Sequence, residues 1–243
     1  MIDDTAAAPR RTHEVLVYAF TLDAETNENC LSADEVARGE RFVFARDRNR
    51  YRVGRARLRG ILADLAGADP ASLQFSYNAF GKPALVAPGP TGLQFNLSHT
   101  AGAALLAVSA TIELGIDLEA IREFSEEMPA SVFSHREQDQ LRALPHQRRN
   151  HAFFNCWTRK EAFVKACGPG LSMPLDDFDV TLTGAPRVTR IAGAANEHRR
   201  WQMRHIEGVG DDLALLVGAL AVEAGQDAIR VELKGSEFPV ALR

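Results

Sequence analysis

The stretch NCWTRKEAFVKACGPGL, residues 155–171, predicts a helix that ends at a tight turn. Trp157, Glu161 and Lys165 recur every four residues, so they lie along one face of such a helix. The Gly-Pro-Gly at residues 168–170 is typical of a chain reversal, where the backbone can approach a ligand. The spacing leaves two interpretations open. In one, Glu161 and Lys165 form an exposed ion pair that stabilises the helix by only about 0.2–0.5 kcal/mol. In the other, both side chains face a substrate.

The composition is that of a folded globular protein. The chain has 243 residues, of which 46% are hydrophobic and 25% charged, and these values favour a folded chain over a disordered one. Its formal net charge is -4, so the whole molecule is no polycation built for nucleic acid. The cysteines, Cys30, Cys156 and Cys167, lack the spacing of a disulfide framework or a zinc site. A reducing compartment fits this pattern best.

The sequence carries no pattern of export or membrane insertion. Residues 1–20, MIDDTAAAPRRTHEVLVYAF, have neither the basic start nor the apolar core of a secretory signal. The longest apolar run, LALLVGALAV at residues 213–222, is too short for a spanning helix and is predicted to be a buried strand. We therefore expect a cytoplasmic protein with no membrane partner.

The first part of the chain predicts strands and helices in succession. A strand over residues 13–20 precedes a helix that Ser32 and Glu35 open as a capping box. An arginine-rich helix over residues 41–59 follows. Two apolar runs then flank a polar insert at residues 96–102, which we expect to interrupt a hairpin.

The second part of the chain has a similar inventory, with helices near residues 129–144 and 151–167 and further strands. This repetition predicts an α+β fold with an N-terminal half, residues 1–113, and a C-terminal half, residues 114–243. The latter ends in a short extension, a polar tail after Ala224. A doubly wound parallel sheet is less favoured, because the strands follow one another instead of alternating with helices.

Two acids in the segment GIDLE are candidate metal ligands. If this segment is a strand, Asp117 and Glu119 lie on one face while Ile116 and Leu118 point into the core. Adjacent carboxylates repel each other unless a cation lies between them, and oxygen ligands suit Mg²⁺. The alternative is an exposed strand edge with two solvated acids, and the triplet alone does not decide between them.

A second group of polar residues could bind phosphate. Ser98 and His99 follow an apolar run in FNLSHT, and Lys82 lies in the preceding Gly-Lys-Pro turn. All three side chains can donate to phosphate oxygens. The alternatives are a turn serine, a surface histidine and a solvated lysine. Ser98 lacks a G-x-S-x-G context, and neither a Walker motif nor G-x-G-x-x-G occurs.

Taken in order, four segments resemble the signature of the 4'-phosphopantetheinyl transferases of the surfactin-synthetase-activating type. These are GKP (81–83), FNLSHT (95–100), GIDLE (115–119) and WTRKEAFVKACGPGL (157–171). The resemblance implies two similar α+β halves related by a pseudo-twofold axis, with the active site in the cleft between them. It also implies transfer of the phosphopantetheine arm of coenzyme A to a serine of an apo carrier protein, with release of adenosine 3',5'-bisphosphate.

The resemblance further implies roles for single residues. Asp117, Glu119 and Glu161 match ligands of Mg²⁺, for which Mn²⁺ is an alternative. Glu161 also matches the base that deprotonates the carrier serine, and Lys165 the cation beside the leaving phosphate. Contacts to the coenzyme's phosphates are implied for Arg38, Lys82, Ser98 and His99. Glu137 matches another acid considered as the base, so the choice between it and Glu161 stays open.

The expected partners are coenzyme A and an apo acyl or peptidyl carrier protein, with no nucleic acid. Arginines over residues 41–59 could steer an acidic carrier, or they form a solvated helix face. Because both halves lie in one chain, we expect a monomer. Two other functions compete: a nucleic-acid-binding module that uses the same arginines, and a metal-dependent phosphohydrolase.

Overall fold

The computed structural model describes residues 10–87, 92–125, 128–168, 173–210 and 214–243. The helices are α1 (Ala33–Glu40), α2 (Ala45–Ala66), α3 (Met128–Val132), α4 (His135–Ala143) and α5 (His146–Cys167). The strands are β1 (Thr12–Thr21), β2 (Gln74–Tyr77), β3 (Pro83–Ala87), β4 (Gln94–Thr100), β5 (Ala103–Ser109), β6 (Leu114–Ala120), β7 (Phe178–Val180), β8 (Val188–Ile191), β9 (Gln202–Val209), β10 (Leu215–Val222), β11 (Ala228–Ser236) and β12 (Val240–Leu242).

Two four-stranded sheets form the centre of the fold. The first has the order β11-β1-β5-β4 and the second β12-β9-β10-β6. Only the β1–β11 pairing in these sheets is parallel, within the residues described above. Two short hairpins, β2–β3 and β7–β8, lie outside the two sheets. Consecutive strands thus pair as antiparallel neighbours, which confirms the α+β class.

Three apolar layers hold the sheets and helices together. Leu58 and Leu62 of α2 pack with Phe95 and Leu106 on the first sheet. The residues that fill the space between the two sheets include Val17, Leu105, Ile116, Leu118 and Leu220. On the far side, the buried residues that join α5 to the second sheet include Phe153, Phe163, Val164, Val217 and Ala219. Each sheet therefore carries one long helix on its outer face.

Local signals fix the ends of the helices. Ser32 precedes α1, and its backbone N–H donates to Glu35 Oε2 at 3.0 Å, which confirms the predicted capping box. Helix α2 runs past the predicted end to Gly67, whose φ of 63° lies in the left-handed region that favours glycine. Helix α5 ends in the same way at Gly168, with φ of 85°. The rest of the predicted Gly-Pro-Gly turn lies outside the described residues.

The prediction of a polar tail after Ala224 was wrong. Residues Ala228–Ser236 form β11, which pairs in parallel with β1 at the edge of the first sheet. Alternate residues Ile229, Val231 and Leu233 pack against the core between the sheets. Their alternation with charged residues is the period-two signal of a half-buried strand, which the prediction of a polar tail overlooked.

The expectation that the polar insert at residues 96–102 interrupts a hairpin was wrong. Most of it belongs to β4, which pairs with β5 in antiparallel register through Thr100 and Ala103. Its polar side chains are accommodated because Asn96 and Ser98 face β6 instead of an apolar layer.

None of the helices in the described ranges has both the length and the apolarity to cross a membrane.

Candidate active site

A glycine allows α5 to lie directly against β6. A Cβ atom on Gly115 would lie 2.2 Å from the carbonyl oxygen of Ala162 and 2.4 Å from the nitrogen of Ala166. Any larger residue at this position would push the helix away from the strand. The close approach brings Glu161 and Lys165 of α5 beside Asp117 of β6.

Lys165 binds Asp117 across this helix–strand contact. Its Nζ lies 2.6 Å from Asp117 Oδ1 and also donates to Ser98 Oγ at 3.2 Å and to the carbonyl oxygen of Ile116 at 3.4 Å. The exposed pair between Glu161 and Lys165, which the helical spacing allowed, is thus replaced by a pair that joins two elements. Asp117 is 5% exposed, so it is no solvated acid at an open edge.

Two carboxylate oxygens in this site have no hydrogen-bond partner within the described part of the chain. They are Glu161 Oε1 and Asp117 Oδ2, and both are buried. Burial above all, and then the negative charges of Asp117 and Glu119, raise the pKa of Glu161 to about 6, although Lys165 partly offsets the rise. A buried acid that lacks a donor and faces other acids requires a proton or a cation.

These side chains surround one cavity of about 310 Å³. It is lined by Leu97, Ser98, His99, Asp117, Leu118, Glu119, Trp157, Glu161 and Lys165. No group of three or more His, Cys, Asp or Glu side chains in the described ranges is close enough to hold a metal ion. The partnerless oxygens of Asp117 and Glu161 nevertheless fit a hard cation, because Lys165 contacts only Oδ1 of Asp117 and leaves Oδ2 open to a ligand bond.

A larger cavity of about 480 Å³ adjoins the first one at Leu97 and His99. Arg38 and Tyr51 line it, with the Arg38 guanidinium 5.7 Å from the centre of the Tyr51 ring. Partial desolvation by the surrounding protein, and then the charge of Lys165, lower the pKa of His99, although the residue as a whole is exposed. His99 is therefore a neutral ring between the two cavities near pH 7, able to donate from one nitrogen.

Comparisons with known proteins identify the family. A family model described as the 4'-phosphopantetheinyl transferase superfamily matches residues 113–217, and a second, described as 4'-phosphopantetheinyl transferase, N-terminal, matches residues 22–111. The transferase Sfp of Bacillus subtilis strain 168 is 30% identical over 164 residues, which cover 66% of this chain and 72% of Sfp. The chain belongs to the 4'-phosphopantetheinyl transferase superfamily.

Other members of the phosphopantetheinyl transferase superfamily match over similar lengths. The transferase HetI of Nostoc sp. is 42% identical over 156 residues, or 63% of this chain and 65% of HetI. Another 4'-phosphopantetheinyl transferase of Bacillus subtilis is 32% identical over 152 residues, or 63% of this chain and 66% of its own length. The matched region thus spans just under two thirds of these two relatives.

One of the expected phosphate contacts, Lys82, lies apart from the carboxylates. Its Nζ donates to Glu113 Oε2 at 2.9 Å and to the carbonyl oxygen of Ala166 at 3.2 Å, near the end of α5. It lines a third cavity of about 700 Å³, which meets the 480 Å³ cavity at Tyr77 and Pro83. Four of the expected phosphate and metal contacts therefore share a cavity with Glu161 and Lys165, whereas Lys82 and Arg38 line the adjoining ones.

Glu137, the other acid expected as a possible base, is buried inside the protein. It is 1% exposed and forms an ion pair of 2.8 Å with Lys160, whose side chain is fully buried. Its two oxygens also accept from the backbone N–H groups of Val180 at 2.8 Å and Ser134 at 2.9 Å. Glu137 does not line the cavity that contains Glu161. It joins the start of α4 to α5 and β7.

The arginines of residues 41–59 are largely neutralised by acids of the same chain. The ion pairs are Arg46–Asp47, Arg48–Glu40, Arg50–Asp23, Arg52–Glu28, Arg52–Glu40, Arg55–Glu35, Arg57–Glu237 and Arg59–Glu35. Arg59 is itself buried. This pairing counts against a basic surface for nucleic acid and reduces the field available to steer an acidic carrier.

Two residues were missed from the sequence, one that contacts the site and one that lies beside Glu161 on α5 but points away from the cavity. Thr100 Oγ1 lies 3.4 Å from Glu119 Oε2. Its position two residues after Ser98, on the same face of β4, is a signal that could have indicated this contact. Lys160, beside Glu161 on α5, binds the carbonyl oxygens of Leu175 and Phe178 as well as Glu137. Nothing in the sequence pattern indicated that Lys160 is buried.

Proposed function

We propose that this chain transfers the 4'-phosphopantetheine arm of coenzyme A to a serine hydroxyl of an apo acyl or peptidyl carrier protein. Adenosine 3',5'-bisphosphate is the second product. The proposal combines membership of the superfamily with one observation in particular. The buried Glu161 Oε1 lacks a donor in the described ranges and lines the same cavity as the Asp117–Lys165 pair.

Glu161 is the group that we assign as general base. The carrier serine oxygen forms a bond to the phosphorus next to the pantetheine arm, and the bond from that phosphorus to the oxygen of the bisphosphate breaks. The serine proton passes to Glu161, directly or through a water. A pKa of about 6 leaves Glu161 ionised at neutral pH but basic enough to accept the proton. Glu137, buried against Lys160, has no access to a substrate.

Lys165 is assigned to the leaving group. Its ammonium already lies in the cavity, 2.6 Å from Asp117 Oδ1, and can turn toward the phosphate oxygen on which charge develops. Asp117, Glu119 and Glu161 would hold Mg²⁺, or Mn²⁺ as the alternative. The bound cation would supply positive charge to the pyrophosphate oxygens, which suits the partnerless carboxylate oxygens.

The binding of coenzyme A is assigned to the 480 Å³ cavity and its neighbours. Arg38 and His99 line that cavity and can donate to phosphate oxygens. Lys82 lies in the third cavity and would have to leave Glu113 to reach a phosphate. The Ser98 hydroxyl donates to Asp117 at 2.8 Å, so it contacts a phosphate only if it rotates away from that acid.

We also propose that the active site lies between two halves of the chain, residues 1–113 and 114–243, because both halves contribute side chains to its cavity. Ser98 and His99 come from the first half, whereas Asp117 and Glu161 come from the second. Strand β11 is a contribution of the second half to the first sheet. The proposed cleft needs no second chain, and we propose a monomer that acts in the cytoplasm. Which carriers it modifies identifies the pathway, and secondary metabolism is one candidate.

A panel of purified apo carrier proteins tests the function. Each is incubated with the protein, coenzyme A and Mg²⁺, and the intact carrier is weighed by mass spectrometry. We expect a gain equal to one phosphopantetheine arm on at least one carrier, and loss of that gain with a chelator or with Glu161→Gln. No gain on acyl and peptidyl carriers alike would reject the proposal. Consumption of coenzyme A without a carrier would indicate a phosphohydrolase instead.

A further inference from the structure

The facing edges of the two sheets are joined by side chains instead of a strand pairing. Strand β4 is the edge of the first sheet, and β6 is the edge of the second. Every second residue of β4 supplies an oxygen that accepts from an outward-facing backbone N–H of β6. The three contacts are Ile116 N to Asn96 Oδ1 at 2.9 Å, Leu118 N to Ser98 Oγ at 3.3 Å and Ala120 N to Thr100 Oγ1 at 3.3 Å. Edge N–H groups that would otherwise lack partners are thereby satisfied.

This row of contacts directs the hydroxyl protons toward the acids of β6. A hydroxyl has one proton to donate, and its oxygen is here the acceptor for a backbone N–H. Ser98 donates its proton to Asp117 Oδ1 at 2.8 Å. Thr100, one step along the same face, is placed to donate to Glu119 Oε2 at 3.4 Å. The same relation between hydroxyl, N–H and carboxylate is thus repeated two residues further along each strand.

We propose that Thr100 is a positioning residue that holds Glu119 in the orientation needed to bind the divalent cation. The inference rests on the proposed function, which assigns Glu119 as a ligand. Glu119 Oε2 has one other contact in the described ranges, Arg122 Nη1 at 3.0 Å. The Arg122 side chain is 59% exposed, so solvent weakens its hold. Thr100 is fixed to β6 through Ala120 and is the more rigid of the two.

The test compares Thr100→Val, which keeps the shape but removes the hydroxyl, with Thr100→Ser, which keeps the hydroxyl. Mn²⁺ binding is measured by the electron paramagnetic resonance signal of free Mn²⁺, with and without coenzyme A. We expect Thr100→Val to raise the Kd for Mn²⁺ by about tenfold, the usual effect of removing a hydrogen bond to a metal ligand. Thr100→Ser should restore the Kd. An unchanged Kd in folded Thr100→Val would overturn the inference.

A double-variant cycle separates positioning from a general structural effect. In a Glu119→Gln background, Thr100→Val should cause little further loss of Mn²⁺ binding, because the acid that it orients is gone. A full additional loss would show that Thr100 acts through the fold and not through Glu119. If Thr100→Val does not fold, Thr100→Ala serves in its place, because it leaves room for a water beside the Ala120 N–H.

The two levels of the proposal fail in different ways. If the unaltered protein binds Mn²⁺ and modifies a carrier while Thr100→Val does the same with unchanged Kd, only the role of Thr100 is rejected. If the unaltered protein neither binds Mn²⁺ with coenzyme A nor modifies any carrier, the proposed function fails, and the role of Thr100 fails with it.

Discussion

Lys165 on α5 and Asp117 on β6 form an ion pair of 2.6 Å that links the long helix to the edge of the second sheet. The pair uses one oxygen of Asp117 and leaves the other buried without a partner in the described ranges. Glu161, one turn back on the helix, also retains a partnerless oxygen. Among the described residues that line the cavity, Lys165 is the one permanent cation beside three acids, Asp117, Glu119 and Glu161. Each of these charged groups is therefore a separate test of the mechanism.

Lys165→Ala should lower kcat by about 100-fold or more, with little change in affinity for coenzyme A, because Lys165 is assigned to charge that develops on the leaving phosphate. Carrier modification under saturating coenzyme A measures kcat, and calorimetry measures coenzyme binding. Lys165→Arg is the matched control that keeps the charge. A loss confined to coenzyme affinity would move Lys165 from catalysis to binding.

Glu161→Gln should lower kcat by about 100-fold or more because glutamine cannot accept the serine proton. Glu137→Gln is a useful comparison for this variant. If the folded Glu137→Gln protein keeps its kcat while Glu161→Gln loses it, the base is Glu161. The reverse result would assign the proton transfer to Glu137.

The raised pKa of Glu161 predicts how stability depends on pH. Burial and neighbouring acids raise this pKa from 4.5 to about 6, so the folded protein holds a proton that the unfolded chain releases. The contribution of Glu161 to stability is fully present below pH 4.5 and is lost as the pH rises to about 6. We therefore expect the melting temperature of Glu161→Gln, measured in a chelator, to rise relative to that of the unaltered protein as the pH increases across this window. A pH-independent difference would contradict the shift.

Glu137→Gln should destabilise the protein by about 3–5 kcal/mol, because it leaves the fully buried Lys160 without its carboxylate partner. Urea unfolding measures the loss. The exposed pair Arg142–Asp139 provides a control, since Asp139→Asn should change stability by less than about 1 kcal/mol. Equal effects of the two variants would refute the structural role of Glu137.

Gly115→Ala should reduce both stability and activity, because its Cβ would lie 2.2 Å from the carbonyl oxygen of Ala162 and would force α5 away from β6. We expect a loss of about 1–3 kcal/mol in the free energy of unfolding. Gly60→Ala in α2 is the control: nothing lies within 4 Å of its added Cβ, and alanine should stabilise the helix by about 0.5–1 kcal/mol.

The sequence predicted the parts of the site that depend on local periodicity. Period two placed Asp117 and Glu119 on one face of a strand, and helical spacing placed Glu161 and Lys165 on one face of α5. It could not predict which charges would pair, because pairing depends on contacts between distant segments. Arg57, for example, binds Glu237, 180 positions away. The ion pair between Glu137 and Lys160 escaped prediction for the same reason.

The position of β11 affects how the chain can fold during synthesis. Its contacts with β1 begin beside Arg11 and Asp227, which are 216 positions apart and joined by a hydrogen bond. At typical translation speeds the ribosome needs on the order of 10–40 s to make the intervening chain. Until then the outer edge of β1 is open to pairing with other nascent chains. The yield of folded protein should therefore depend on translation speed and on chaperones that cover this edge.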